Sequence, residues 1–184
     1  MRVLLTGGTG FIGSHIALLL LEKGYDVITF DSYVNSSSIV TKVIKKYLDN
    51  NLNHYNIKTV KGDIRDKKSL EVLFNSSIKE KKPIQSVIHL AGLKSVSESF
   101  IYPLHYWDVN VCGTKNLLEI MNKYECYTIV FSSSATIYGL TDSIPIAEDH
   151  KVSPINPYGK TKVAIENILE DIFKSNIKPW KICS

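Results

Sequence analysis

Residues 7–13 read Gly-Gly-Thr-Gly-Phe-Ile-Gly directly after the short apolar stretch 2–6, and a glycine run in that setting leaves few folds open. Residues 2–6 predict a buried strand, and 12–23 predict an amphipathic helix. The run between them satisfies G-x-G-x-x-G from Gly8 and G-x-x-G-x-x-G from Gly7. Glycines let the backbone turn tightly and approach a pyrophosphate, which then rests on the amides that open the helix near Phe11. Such a motif is weak alone and gains weight from the flanking strand and helix, and from a second strand at 26–30 that ends on Asp31. A carboxylate at that distance accepts hydrogen bonds from adenosine ribose hydroxyls and repels a 2′-phosphate, which favours NAD over NADP. An Asp that caps the βα turn would show the same pattern.

The rest of the chain alternates strand and helix as a doubly wound parallel α/β sheet requires. Strands are expected at 57–61, 84–90 and 127–132, and helices at 39–48, 67–78, 103–124 and 157–174. Residues 180–184 read as the opening of a sixth strand. Pro157 suits a first helical position with Asn156 as N-cap. Ile165, Ile168, Leu169, Ile172 and Phe173 then form one apolar stripe, which fits packing on the sheet and fits contact with another helix. One domain over 1–184 is expected, a length that can bury a core.

Tyr158 and Lys162 are four apart, so the last helix should carry both on one face. An ammonium near a phenol hydroxyl favours the phenolate, which makes the pair a candidate general base. Bringing a Tyr from its reference value to neutrality takes about 3 units, or roughly 4 kcal/mol, part of which a bound nicotinamide cation would contribute. Parallel sheets place ligands beyond the carboxyl ends of their strands. Asp63 and Ile64 follow the third strand and could meet an adenine or form a plain turn. Ala91 and Gly92, with Lys94 beyond, follow the fourth and permit close approach. Ser132, Ser133 and Ser134 follow the fifth, where a hydroxyl could bond a substrate oxygen or satisfy turn backbone.

Composition narrows the remaining classes. The net charge of +4 is scattered over 22 Lys and Arg with no basic stripe, so no nucleic-acid partner is expected, and the lysine-rich stretches 42–46 and 79–82 read as solvated faces. The longest apolar run, 16–21, is too short to span a membrane, and neither signal peptide nor anchor is expected. Cys112, Cys126 and Cys183 lack metal-ligand spacing and fit free thiols in a reducing cytoplasm. The five histidines show no ligand spacing, so no metal is expected, and Ser132–Ser134 lack the elbow of a nucleophilic hydrolase.

Four segments together resemble the extended short-chain dehydrogenase/reductase family. They are the glycine run, Ala-Gly-Leu-Lys-Ser-Val-Ser-Glu-Ser at 91–99, Phe-Ser-Ser-Ser-Ala-Thr-Ile-Tyr-Gly at 131–139 and Pro-Tyr-Gly-Lys-Thr-Lys at 157–162. Within that family the chain is similar to the UDP-glucose 4-epimerases over residues 1 to 174, most specifically at 91–99. The resemblance implies a Rossmann-like fold with NAD held by Gly7, Gly10, Phe11, Ile12 and Gly13, and by Asp31, Ser32, Tyr33, Val34, Asn35 and Ser36. It adds Asp63 and Ile64, then Leu90, Ala91, Gly92, Leu93 and Lys94, then Asn110, Tyr158 and Lys162. Ser134, Tyr158 and Lys162 become the catalytic group, and Lys94, Ser134 and Tyr158 the contacts to a UDP-sugar substrate. Val109 departs from members with a polar cofactor contact there, so hydrogen bonding is expected to be weakened or rerouted near Asn110.

The implied reaction is reversible oxidation at the sugar 4-position, rotation of the 4-keto sugar and return of hydride to its other face, which interconverts UDP-glucose and UDP-galactose. Dehydratases of the family usually carry an Asp-Glu pair where Ala135 and Thr136 stand, which favours epimerisation; an N-acetylated or glucuronate sugar is not distinguished. The resemblance also implies a further substrate-holding domain beyond this length, hence weak turnover by the chain alone, and leaves a non-catalytic NAD-binding module as the alternative. A homodimer through helices 103–124 and 157–174 is the implied assembly.

Overall fold

Successive strand residues face opposite sides of a sheet, and in this chain both sides are apolar. The computed structural model describes residues 1–52, 54–141 and 144–184. Strands β1 (Arg2–Thr6), β2 (Asp26–Asp31), β3 (Asn56–Lys61), β4 (Ser86–His89), β5 (Thr128–Phe131) and β6 (Lys181–Cys183) form one parallel sheet in the order β3-β2-β1-β4-β5-β6. Val3, Leu5 and Val27 pack on one side with Ala17 and Leu21 of α1 (Phe11–Glu22) and Ile44 and Leu48 of α2 (Ile39–Asn51). Leu4, Ile28 and Phe30 pack on the other with residues of α3 (Lys67–Lys79), α6 (Gly113–Lys123) and α7 (Pro157–Ser175). Two covered faces explain why these strands read as unbroken apolar runs.

Strand order reverses between β1 and β4, so the loops leaving these neighbours diverge and open a crevice at their carboxyl ends. The amino ends of the strands are pinned by charge: buried Arg2 pairs with Asp26 at 3.2 Å and Glu80 at 2.6 Å.

Three local features differ from the sequence pattern. The expected helix 103–124 is broken into α5 (Pro103–Tyr106), a π-helix (Trp107–Cys112) and α6. An additional helix, α4 (Val96–Ile101), precedes it; its signal is the Ser95-x-x-Glu98 spacing, and Ser95 Oγ accepts from Glu98 N at 3.3 Å. Strand β4 is shorter than 84–90 because the Ile84 amide turns aside to Ser77 Oγ. Ile165 and Leu169 of the α7 stripe enter the core with Ile168 and Ile172 packed against it, whereas Phe173 stays 60% exposed, so the stripe serves the sheet. Among the described residues no helix is long and apolar enough to cross a membrane.

Helix α7 begins as its sequence predicts, with Pro157 in the first turn and Asn156 Oδ1 accepting from Gly159 N at 2.7 Å. Asn156 is buried, so its loss leaves a donor without water. Asn156→Ala should therefore cost about 1–2 kcal/mol in urea unfolding, and Asn156→Asp much less. Equal losses for both would contradict the capping role.

Candidate functional site

The crevice is built first by backbone. Gly7 has φ 68° and donates its N–H to Phe30 O at 2.8 Å. A Cβ there would stand 2.8 Å from Ala91 N, and one on Gly13 would stand 2.3 Å from Gly7 O. The β1 loop, the start of α1 and the segment after β4 therefore touch through main chain. Gly10 caps α1 without a side-chain bond, so the first amides of the helix keep the free donors and positive end of the dipole that suit an anion.

Asp31 locks this loop from the β2 side. Its Oδ2 accepts from Thr9 N at 3.1 Å, and its Oδ1 accepts from Tyr33 N at 3.0 Å and Ser36 Oγ at 2.8 Å. Because the Ser36 hydroxyl donates to Asp31, its oxygen accepts from Thr9 Oγ1 at 2.9 Å. Three donors leave acceptor capacity on Oδ2, so Asp31 both organises the turn and can receive a ligand hydroxyl.

At the β3 end, Asp63 is gripped by Arg65, whose Nη2 reaches Oδ2 at 2.7 Å and whose Nη1 reaches Asp108 at 2.9 Å. The guanidinium holds the Asp63 carboxyl below its usual range against the opposing effect of burial. This pair ties the β3 loop to the π-helix.

Tyr158 and Lys162 lie one turn apart on α7, 8% and 6% exposed. Lys162 Nζ donates to Ser132 O at 2.7 Å and stands 4.6 Å from the Phe131 ring centroid and 5.8 Å from that of Tyr158. Tyr106 meets the Tyr158 ring edge-on at 6.4 Å and is held by Glu98 Oε2 at 2.8 Å, which gives α4 a purpose in placing the phenol. Burial, with the Glu98 carboxylate, pushes the Tyr106 phenol up to about 12, so Tyr106 stays a neutral support.

These elements converge on one cleft of about 390 Å³. Of the residues expected at the cofactor or substrate, Gly7, Gly10, Phe11, Ile12, Asp31, Ser32, Val34, Asn35, Asp63, Ile64, Leu90, Ala91, Gly92, Leu93, Lys94, Tyr158 and Lys162 line it. Gly13, Tyr33, Ser36, Asn110 and Ser134 do not. Gly13 packs on the β1 loop, Tyr33 and Ser36 hold Asp31, and Ser134 Oγ accepts from Thr136 N and Oγ1. Asn110 gives its whole amide to Leu93 and Thr161, so it does not supply the polar group that Val109 lacks in the lining.

Sequence reasoning missed Phe30, Gly62, Arg65 and His105 in the lining, whereas Ser132 and Ser133 belong to the serine run it singled out. Arg65, two residues beyond Asp63, has a local signal, whereas His105 arrives by tertiary packing alone. Ser133 Oγ is buried without a hydrogen-bond partner among the described residues, a hydroxyl left for a ligand. Phe11, Ile12 and Val34, 79%, 57% and 76% exposed, put apolar surface at the rim, as a flat aromatic or sugar ligand would require.

The family model described as GDP-mannose 4,6 dehydratase matches residues 4–179. UDP-glucose 4-epimerase 2 of Arabidopsis thaliana is 44% identical over 180 residues, covering 98% of this chain and 49% of the relative. The UDP-glucose 4-epimerase of Bacillus subtilis (strain 168) is 39% identical over 182 residues, covering 99% and 50%. Among solved structures, UDP-glucose 4-epimerase from Bifidobacterium longum in complex with NAD+ and UDP superposes with a TM-score of 0.88 at 39% identity, covering 99% of this chain and 51% of that one. The chain spans about half the length of the curated relatives it matches.

Burial pushes the Lys162 ammonium down to about 8, with Glu166 opposing. The folded value lies below the unfolded one, so the unfolded chain binds more protons between roughly pH 8 and 10.5. Stability from this group therefore rises with pH across that window, and a penalty of about 3 kcal/mol applies in full below it. Lys162→Met should unfold at higher urea than wild type at pH 7, with the margin shrinking towards pH 10. A variant that is less stable at pH 7 would show that the ammonium is not a burden to the fold.

Proposed function

The chain belongs to the GDP-mannose 4,6-dehydratase family, and on that premise we propose that it carries the NAD-binding and proton-transfer groups of a UDP-glucose 4-epimerase, which interconverts UDP-glucose and UDP-galactose. The observation that carries this reading is the convergence of the glycine loop, Asp31 and the Tyr158–Lys162 pair on one cleft at the reversal of strand order. The residues fit the cofactor. Gly7 and Gly13 allow backbone contact where a pyrophosphate would lie, Asp31 Oδ2 can accept from a ribose hydroxyl, and Ser133 Oγ awaits a partner. A carboxylate at that place also disfavours a 2′-phosphate.

When bound, NAD supplies the hydride acceptor and donor at its nicotinamide. Tyr158 removes the proton of the sugar 4-hydroxyl and returns it after the 4-keto sugar has rotated. Lys162 brings positive charge near the phenol and hydrogen-bond donors towards the ribose. Ser134 sits beside the lining rather than in it; it accepts twice from Thr136, so its own proton is free to be donated to the reacting oxygen of a bound sugar. Neither Ala135 nor Thr136 can act as the acid or base that a dehydration needs. A homodimer through 103–124 and 157–174 would use the apolar side chains these segments leave exposed, Leu104 at 83% and Phe173 at 60%. Free Cys112, Cys126 and Cys183 accord with a cytoplasmic setting.

Titration calorimetry should give tighter binding of NAD than of NADP, and Asp31→Asn should weaken NAD at least about tenfold, because its amide must turn its NH2 towards the Thr9 amide or the Tyr33 amide, either of which then loses its acceptor. Unchanged binding in the variant would remove Asp31 from the site. With UDP-galactose and NAD, conversion to UDP-glucose followed by NMR should fall at least about 100-fold in Tyr158→Phe, whatever the absolute rate. An Asp31 effect with no measurable conversion in either protein would favour a binding module without turnover.

A further inference from the structure

His89 ends β4 at 1% exposure, and both of its ring nitrogens are engaged: Nδ1 lies 2.6 Å from Thr6 Oγ1 and Nε2 lies 2.8 Å from Thr114 Oγ1. The direction of each bond follows from the neighbours. Thr114 donates its only hydroxyl proton to Asn110 O, so it must accept from the ring, and Nε2 carries the proton. In a neutral ring Nδ1 then accepts from the Thr6 hydroxyl, whose oxygen accepts from Ala91 N at 3.3 Å. Beyond Thr114, Asn110 Oδ1 accepts from Leu93 N at 2.8 Å, and its Nδ2 donates to Leu93 O at 3.0 Å and Thr161 Oγ1 at 3.1 Å. Thr161 donates to Tyr158 O at 2.6 Å. Burial pushes the imidazole down to about 3, and the nearby Lys162 ammonium acts in the same direction, so the ring is neutral.

We propose that His89 is a positioning residue. As its neutral Nε2–H tautomer it joins β1 to α7, fixing the backbone of residues 91–93 that floors the cofactor cleft and the first turn that carries Tyr158. The link to cofactor affinity rests on the NAD reading above; the tautomer and the two arms do not.

Nitrogen-15 NMR of the wild-type chain should show a protonated Nε2 and a bare Nδ1 that persist between roughly pH 5 and pH 9. A protonated Nδ1, or a ring that titrates in that range, would overturn the assignment. In His89→Leu the amide resonances of both Ala91 and Leu93 should shift, and NAD affinity should fall at least about tenfold because two buried hydroxyls lose a partner. His89→Asn keeps an acceptor near the Thr6 hydroxyl and abandons Thr114, so the Leu93 amide should move and that of Ala91 should hold. Leu48→Ala is the control for lost stability alone, since Leu48 of α2 packs in the core on the other face of the sheet, and it should retain wild-type affinity. Wild-type affinity in both His89 variants, or an equal loss in Leu48→Ala, would refute the positioning role. Failure of wild type to bind NAD would count against the cofactor reading and leave the amide shifts to decide on the brace.

Discussion

Gly7 and Gly13 let three stretches of backbone meet at distances no side chain permits: the loop after β1, the first turn of α1 and residues 90–91 after β4. Every other feature of the site follows from that contact. It brings the carboxyl ends of β1 and β4 together where strand order reverses, aims the start of α1 into the cleft, and puts Thr9 N within reach of Asp31. Only then can Asp31 tie β2 to the loop, and only a sheet set in this register presents His89 between Thr6 and Thr114.

Several features that burden the folded chain lie around this cleft. Lys162 is buried with a carbonyl rather than a carboxylate as its hydrogen-bond partner, Ser133 Oγ is buried without one among the described residues, and Phe11, Ile12 and Val34 lie open to solvent. Local choices that conflict with stability mark places shaped by function. The supports behind them are unusually complete by contrast. Glu98 holds Tyr106 against Tyr158, and the polar chain from Ala91 to Tyr158 has a donor for every acceptor it uses.

The sheet was legible in the sequence because its signals are local. A strand, a glycine turn and a helix follow one another within residues 2–22, and the capping of α7 is written in Asn156 and Pro157. The break in 103–124 was not legible, since a π-turn changes the helical register without breaking the apolar pattern. Asn110 and Ser134 are expected at the ligand from the family resemblance, and Ser134 also from its place after β5; that their side chains engage Leu93, Thr161 and Thr136 is set by packing and has no signal in the sequence. His89 carried no signal at all beyond the absence of metal spacing, because its two threonines lie 83 and 25 residues away. Arg65 and the Ser95–Glu98 box were legible and were passed over.

A backbone amide NMR titration with NAD tests the central claim most directly, that one cleft joins the glycine loop to the Tyr158 helix. Perturbations should concentrate at Gly10, Phe11 and Ile12, at Asp31 and Ser32, at Ala91–Lys94 and at Tyr158, and should bypass the amino end of the sheet around Arg2 and Lys82. Shifts confined to that amino end, or to the glycine loop with none at Tyr158, would contradict the account.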